Sequence, residues 1–298
     1  MNYRGDLNTE QQNPSSIDID NMDVRDILHT INDEDSYIAK AVKESIPDIE
    51  KTVKYTVSSV KNGGRVFYVG AGTSGRLGVL DASEIPPTFS VSDDIFIGII
   101  SGGDKALRRS IEGAEDSRDN AIKDLEPFKL DQKDTLIGIS CSGAASYVIS
   151  ALEHARERGA NTVYVVTNPK PFLMTEVDTV IHADTGAEVI TGSTRMKAGT
   201  ATKMILNMIS TTTMVKLGKV YGNLMVDLMA VNKKLIDRGT RIIMKLTGLN
   251  YDKANEKLLA ADRSVKLALV MEHHNCTIDE GRRKLKDAEG YLNRVINS

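Results

Sequence analysis

The sequence predicts an α/β protein, a mostly parallel sheet flanked by helices on both faces, followed by a small C-terminal helical subdomain. Three observations carry this expectation. Short apolar runs, RVFYVG, IFIGIIS, TLIGIS, TVYVVT and a weaker TVIHA, alternate with segments of helical periodicity between residues 65 and 183. That alternation is the pattern of parallel strands covered on both sides. Two of the runs feed glycine- and hydroxyl-rich turns that open helices, and beyond residue 195 the pattern is helical throughout.

Taken in order, residues 1–30 read as an N-terminal arm. Its first 20 or so residues hold Asn13-Pro14-Ser15-Ser16 and few apolar groups, which suits an extended or partly ordered segment. From Asp33 onward Ile38, Val42, Ile46, Ile49, Val53, Val57 and Val60 recur at spacings of three and four, the mark of an amphipathic helix. Pro47, with Ser45 before it as a candidate cap, divides that stretch in two or kinks it, and Asn62-Gly63-Gly64 ends it. The helix that starts near Thr73 is expected to stop at Pro86-Pro87, leaving Glu84 on its terminus. Later helices carry Leu107, Ile111 and Ala114, then Val148, Ile149, Leu152 and Ala155. Met204, Ile205, Met208, Ile209 and Val215 form a core-facing stripe. From Thr247 three short helices are expected, with breaks near Gly248, Asn275 and Gly290. The division that follows is an arm over 1–30, a sheet domain with flanking helices over 31–245, and a helical subdomain over 246–298.

Composition limits the function classes. A net charge of −3 with 27% charged residues gives no basic excess for nucleic acid or an anionic membrane surface. No apolar run approaches the roughly 20 residues of a membrane span. The polar, acidic start lacks a signal peptide's apolar segment, so a cytoplasmic location is expected. Cys141 and Cys276 are far apart, and with five histidines no metal spacing emerges, so neither a metal nor a disulfide framework is expected.

The chemistry is concentrated in loops. Gly70, Gly72 and Gly75 satisfy the dinucleotide fingerprint G-x-G-x-x-G after a strand and before a helix, where backbone N–H groups and the helix dipole favour an anion. Asp104, past the second strand, leaves the dinucleotide reading open. Thr73 and Ser74 and a second loop, Ser140 through Ser142, Gly143 and Ser146, favour a phosphate monoester, whose three oxygens hydroxyls and backbone donors can surround. A third candidate loop holds Ser193, Thr194 and Lys197 at another helix start. Each hydroxyl is equally suited to capping a helix. Glu84 and Glu115 are the acids nearest these loops, and pattern alone does not separate Glu115 from Glu112 or Asp116.

The segments GAGTSGRLGVLDASEIPPTF (Gly70 to Phe89), EGAEDSR (Glu112 to Arg118) and GSTRMKAGTATK with the following LNM (Gly192 to Met208) closely resemble the N-acetylmuramic acid 6-phosphate etherase family. INDED at Ile31 and YGNLMVD at Tyr221 extend the resemblance over essentially the whole chain. It implies a flavodoxin-like sugar isomerase (SIS) domain without a cofactor. It also implies a sugar phosphate substrate held by Gly72, Thr73, Ser74, Ser140, Ser142, Gly143, Ser146, Ser193, Thr194 and Lys197, and a homodimer with no nucleic acid or membrane partner. Glu84 matches the family's proton donor to departing lactate, a role that burial beside Ile85-Pro86-Pro87 would favour; Glu115 matches the second catalytic acid. The implied reaction is the elimination and rehydration that release D-lactate during cell-wall amino sugar recycling. One departure stands out: the family's second loop usually reads Ser-Gly-Arg-Thr-Pro-Tyr, and here it is Ser142-Gly143-Ala144-Ala145-Ser146-Tyr147. A non-catalytic sugar phosphate sensor and an aldose-ketose phosphate isomerase on the same domain remain as alternatives. Arg76 and Arg195 are the candidate cations for the lactyl carboxylate.

Overall fold

The five apolar runs form strands β1 (Val66–Gly70), β2 (Phe96–Ile100), β3 (Thr135–Ile139), β4 (Asn161–Val166) and β5 (Thr179–His182) in a computed structural model that describes residues 3–228, 230 and 232–297. The sheet is parallel throughout, in the order β2-β1-β3-β4-β5. Strands β1 and β3 are buried at every position, as strands covered on both faces must be. Among the described residues thirteen α-helices accompany them: α1 (Val24–Ser36), α2 (Ile38–Glu44), α3 (Ile46–Lys61), α4 (Gly72–Phe89), α5 (Lys105–Arg108), α6 (Arg118–Leu125), α7 (Ser146–Glu157), α8 (Lys197–Lys216), α9 (Lys233–Thr247), α10 (Tyr251–Ala260), α11 (Val265–His274), α12 (Ile278–Asp287) and α13 (Leu292–Ile296). None is long and apolar enough to cross a membrane.

Alternation along β1 assigns its two faces. Phe67 and Val69 pack with Tyr147, Val148, Ala151 and Leu152 of α7. Tyr68 faces the other way, onto α4, where a Cβ at Gly78 would stand 2.9 Å from Tyr68 Cβ, so only glycine lets the helix lie this close. One turn on, buried Asp81 accepts from Asn207 Nδ2 at 2.7 Å and from Ser210 Oγ at 3.2 Å on α8. Burial pushes the Asp81 carboxyl above its ordinary range, against the pull of these donors.

The chain divides into two compact units, Met1–Ser83 with Asp94–Ser210, and Glu84–Asp93 with Thr211–Ser298. The first contains the whole sheet. The second has its own core, in which Val226, Ala254, Leu258, Val265, Ala268, Leu292 and Val295 are buried together. Within it the buried Lys266 ammonium is held by Asp227 and by the carbonyls of Gly218 and Gly290.

Several details differ from the sequence expectation: the helix expected through Leu107, Ile111 and Ala114 is α5 alone, which ends at Arg108, and Val215 of the α8 stripe is exposed. Helix α4 does not stop at Pro86-Pro87 but runs through both to Phe89. Proline's fixed φ is helical, and burial of Ile85 and Phe89, one turn apart, holds the last turn against the loss of two N–H donors. Ser45 makes no capping bond; its Oγ donates to His182 O at 2.6 Å, tying α3 to β5. Four helices follow Thr247 rather than three. Breaks do fall at Gly248, Asn275 and Gly290, which have positive φ, but the turn between α10 and α11 uses Asp262 and Arg263 at φ of 52° and 61°, residues that carry no breaker signal. The arm is a chain of short 3-10 turns rather than extended. Its Thr9 and Asn168 exchange hydrogen bonds, and Ser16 Oγ donates to Val189 O at 2.7 Å.

The third candidate loop departs most from expectation at Lys197. Its side chain is buried, with Nζ 2.5 Å from Glu34 Oε2 and 3.0 Å from Ala187 O. It therefore joins α8 to α1 and is not open to a ligand. Beside it, fully buried Glu188 accepts from the N–H groups of Lys197 and Ala198 at 2.9 and 3.0 Å, so the protein's own carboxylate fills the positive end of α8. Burial acts to raise the Glu34 carboxyl, but Lys197 and Asn13 outweigh it and hold the group below its ordinary 4.5. The contribution of the pair is therefore complete at neutral pH and is lost as pH falls through the folded-state value. Replacing Glu34 by Gln leaves a buried ammonium without its counter-charge and is expected to cost roughly 3 kcal/mol. Denaturant unfolding of the two proteins across pH should show that gap undiminished down to pH 4.5 and narrowing below it.

Candidate active site

The sheet order places a reversal of winding between β1 and β3, since the chain leaves β1 for β2 on one side and returns to β3 on the other. Ligands of open parallel sheets bind in the crevice outside the carboxyl ends of such strands. Both hydroxyl-rich loops emerge there. Gly72, at φ 53°, turns the chain from β1 into α4, whose first turn carries Thr73 and Ser74. Gly70 and Gly75 have a packing role. A Cβ on Gly75 would lie 2.6 Å from Gly70 O and 2.7 Å from Ile100 Cγ1, so the helix start is pressed onto the strand end.

In the second loop Gly143 adopts φ 72°, and a Cβ there would fall 2.3 Å from Pro171 Cβ. Ser140 Oγ accepts from Ala145 N–H at 3.4 Å and Ser142 Oγ from Ala144 N–H at 3.3 Å. Ala145 is the N-cap of α7 and has no side-chain oxygen to satisfy the helix's first donors. Cys141 sits where the loops meet, its Sγ 3.5 Å from Ser74 Oγ and 3.6 Å from Thr202 Oγ1 of α8. Burial keeps this thiol above its ordinary range, and so neutral and unreactive. The site of a Cβ on Gly199 is 3.5 Å from both Thr194 O and Thr73 Cγ2, which brings the third loop against the start of α4.

The structure therefore gathers Gly72, Thr73, Ser74, Ser140, Ser142, Gly143, Ser146, Ser193 and Thr194 around one edge of the sheet. Their availability differs. Ser74 and Ser140 are buried and bonded within the loops, whereas among the described residues the hydroxyls of Thr73, Ser146, Ser193 and Thr194 take no hydrogen-bond partner. Among the described residues no side chain accepts from the first N–H groups of α4 or α7, whereas Glu188 does so at α8.

Glu115 joins this edge. Ser101 Oγ donates to Ala114 O at 2.6 Å and Ser101 N to Gly70 O at 3.0 Å, fixing the Glu115 turn beside the end of β1. A cavity of about 190 Å³ results, lined by Ala71, Gly72, Ser101, Glu112 and Glu115 among others. Gly113 serves this turn by its left-handed φ of 69°, not by close approach, for nothing lies within 4 Å of a Cβ there. Asp116, which pattern could not separate from Glu115, does not line the cavity; Arg4 lies 3.9 Å from it. Glu84 is not among the lining residues. It begins the second unit and is exposed, so the burial expected to favour its protonated form is not provided within this chain. Arg76 is a structural cation: Nε donates to Ala106 O and Leu107 O at 3.1 and 3.3 Å, and Nη2 to Arg109 O at 3.2 Å. Arg195 is exposed. Sequence reasoning missed Glu34 and Glu188, whose partners lie far away in the chain, and Arg109, which lines the cavity and had only a helical run of charges around it.

Among the described residues no cluster of His, Cys, Asp and Glu suits a metal ion. Comparison with known proteins gives two family models, the glucokinase regulatory protein N-terminal SIS domain over residues 48–156 and the SIS domain over residues 119–212. The N-acetylmuramic acid 6-phosphate etherase of Oceanobacillus iheyensis is 51% identical over 97% of this chain and 98% of its own. Proteins of the same name from Bacillus cereus and Bacillus cytotoxicus are 45% and 46% identical, each over 97% of this chain and 99% of theirs. Identity at this level over nearly the full length of both partners, on a parallel sheet with its loops at the β1–β3 edge, means that the chain belongs to the N-acetylmuramic acid 6-phosphate etherase family.

Proposed function

We propose that the chain opens the lactyl ether of N-acetylmuramic acid 6-phosphate, giving N-acetylglucosamine 6-phosphate and D-lactate, with the phosphate held at the starts of α4 and α7 and Glu115 acting at C2. The observation that carries this reading is the pairing of two uncapped helix starts with a carboxylate in the adjoining cavity. The chemistry needs both. Once the ring opens, the C2 proton lies next to an aldehyde and a carboxylate can remove it. Electrons then flow from the C2–H bond into a C2–C3 double bond as the C3–O bond breaks, and the ether oxygen leaves as the lactate hydroxyl once it is protonated. Water adds back at C3 and a proton returns to C2.

Glu115 is the base in this scheme. Glu84 keeps the proton-donor role that the family resemblance implies and would afterwards activate the water. The absent arginine and threonine of the second loop leave Ala144 and Ala145 at α7, so the phosphate would depend on N–H groups and the Ser142 and Ser146 hydroxyls there. We place the reaction in the cytoplasm, as part of cell-wall amino sugar recycling, because a doubly charged phosphate ester does not cross a bilayer unaided.

We further propose a homodimer. Helix α1 supports it: no residue of α1 is fully buried, and Val24 and Leu28, one turn apart, are 75% and 62% exposed. A second copy of the same helix is the apolar surface of matching character.

Incubation with the muramic acid phosphate should release D-lactate, and Glu84→Gln should reduce that release by at least about 100-fold. Solvent deuterium should enter C2 with the parent protein and fail to enter with Glu115→Ala. Release of no D-lactate by the parent protein would leave sugar phosphate sensing or isomerisation as the activity. Light scattering should give twice the chain mass, and Val24→Asp with Leu28→Asp should give the monomer.

A further inference from the structure

The cavity that holds Glu115 also holds a second acid, Glu112, and two arginines, Arg76 and Arg109. The arginines are not equivalent. Arg76 spends its guanidinium on three backbone carbonyls at the end of α5 and has no free fork for a ligand. Arg109 is held by its backbone alone. It follows α5 in an extended conformation at φ −139° and ψ 153°, its N–H donates to Lys105 O at 3.2 Å, and its carbonyl receives Arg76. Its side chain is exposed at the cavity and, among the described residues, has neither an ion pair nor a hydrogen bond.

The substrate brings a group that this cavity must accommodate. The lactyl carboxylate is joined to C3 through the ether oxygen and one carbon, so its carboxyl carbon is four covalent bonds from C2. A base acting at C2 therefore has the carboxylate within a few ångströms. That base is itself an acid side chain, with Glu112 lining the same cavity, and a third negative charge is repelled there unless a cation meets it. A guanidinium offers a planar pair of N–H donors matched to a carboxylate.

We propose that Arg109 binds the lactyl carboxylate of the substrate and thereby selects the lactyl ether over amino sugar phosphates that lack it. The inference rests on the etherase reading given above. It assigns the carboxylate to a residue that stands in neither glycine loop. It also distributes the substrate over the site, with the phosphate at the helix starts and the lactyl group against the turn that carries Glu115.

The test compares the full-length parent protein with Arg109→Ala and Arg109→Lys in two measurements. One is steady-state D-lactate release from the muramic acid phosphate. The other is competitive inhibition by N-acetylglucosamine 6-phosphate, which has the same phosphate and ring but no carboxylate. Loss of a charge-assisted hydrogen bond should raise KM for the substrate roughly 10- to 100-fold in Arg109→Ala. The inhibition constant of the unsubstituted sugar phosphate should stay within about twofold, and Arg109→Lys should recover part of the loss. An unchanged KM in Arg109→Ala overturns the inference, as does a parallel rise of KM and the inhibition constant, which would mean a general disturbance of the cavity. Failure of the parent protein itself to release D-lactate overturns the etherase reading, and this inference with it.

Discussion

The parallel pairing of β1 with β2 on one side and β3 on the other is the constraint from which the site follows. In that register Gly70 stands opposite both Ile100 and Ile139, so the three strands end at one level. Their following segments must diverge, because one crossover goes to each side, and a crevice opens where they part. A start of helix α4 so close to the strand requires glycine at both ends of the turn, since a Cβ on Gly70 would lie 2.7 Å from Gly75 N. The same register lets Ser101 donate to the carbonyls of Gly70 and Ala114, which fixes the Glu115 turn. Strand pairing thus sets the positions of the first glycine loop and the Glu115 turn together.

Electrostatics then distinguishes the helix starts. Three helices begin at this edge, and each offers unpaired N–H groups and the positive end of a dipole. At α8 the offer is taken up by Glu188, both of whose oxygens receive backbone N–H groups while fully out of water. Burial raises the carboxyl, and those two N–H groups oppose it. A ligand phosphate would have to displace a buried carboxylate to use this terminus. Among the described residues nothing comparable stands at α4, where Ala71 precedes the helix, or at α7, where Ala145 does. The ion pair of Lys197 with Glu34 belongs to the same region and carries the arm's neighbouring helix onto the α8 start. The arm and the third loop are in this sense scaffold for the first two loops.

The residues of the motifs consequently serve different ends within short distances. In GAGTSG the outer glycines permit contact between helix and strand, the middle one supplies a left-handed turn, and Thr73 keeps a free hydroxyl while Ser74 turns inward to Cys141. In GSTRMK the lysine is structural. In EGAEDSR the glycine reverses the chain so that Glu115, rather than Asp116, reaches the cavity.

The sequence by itself determined the five strands, their parallel arrangement and the family, because each depends on local signals: apolar runs of strand length, glycines before helix starts, and long motifs. It also pointed to the loops that now lie at one edge. What it could not determine were properties that arise only when distant segments meet. Lys197 looked like a phosphate ligand until Glu34, far back in the chain, proved to bury it. Pro86 and Pro87 looked like a helix stop because their local cost is legible and the burial of Ile85 and Phe89 that offsets it is not. Arg76 and Arg109 are alike as letters, and only the carbonyls gathered around Arg76 separate a spent cation from a free one. Local propensity is written residue by residue, whereas the availability of a charge is set by whichever groups the fold brings within hydrogen-bonding distance of it.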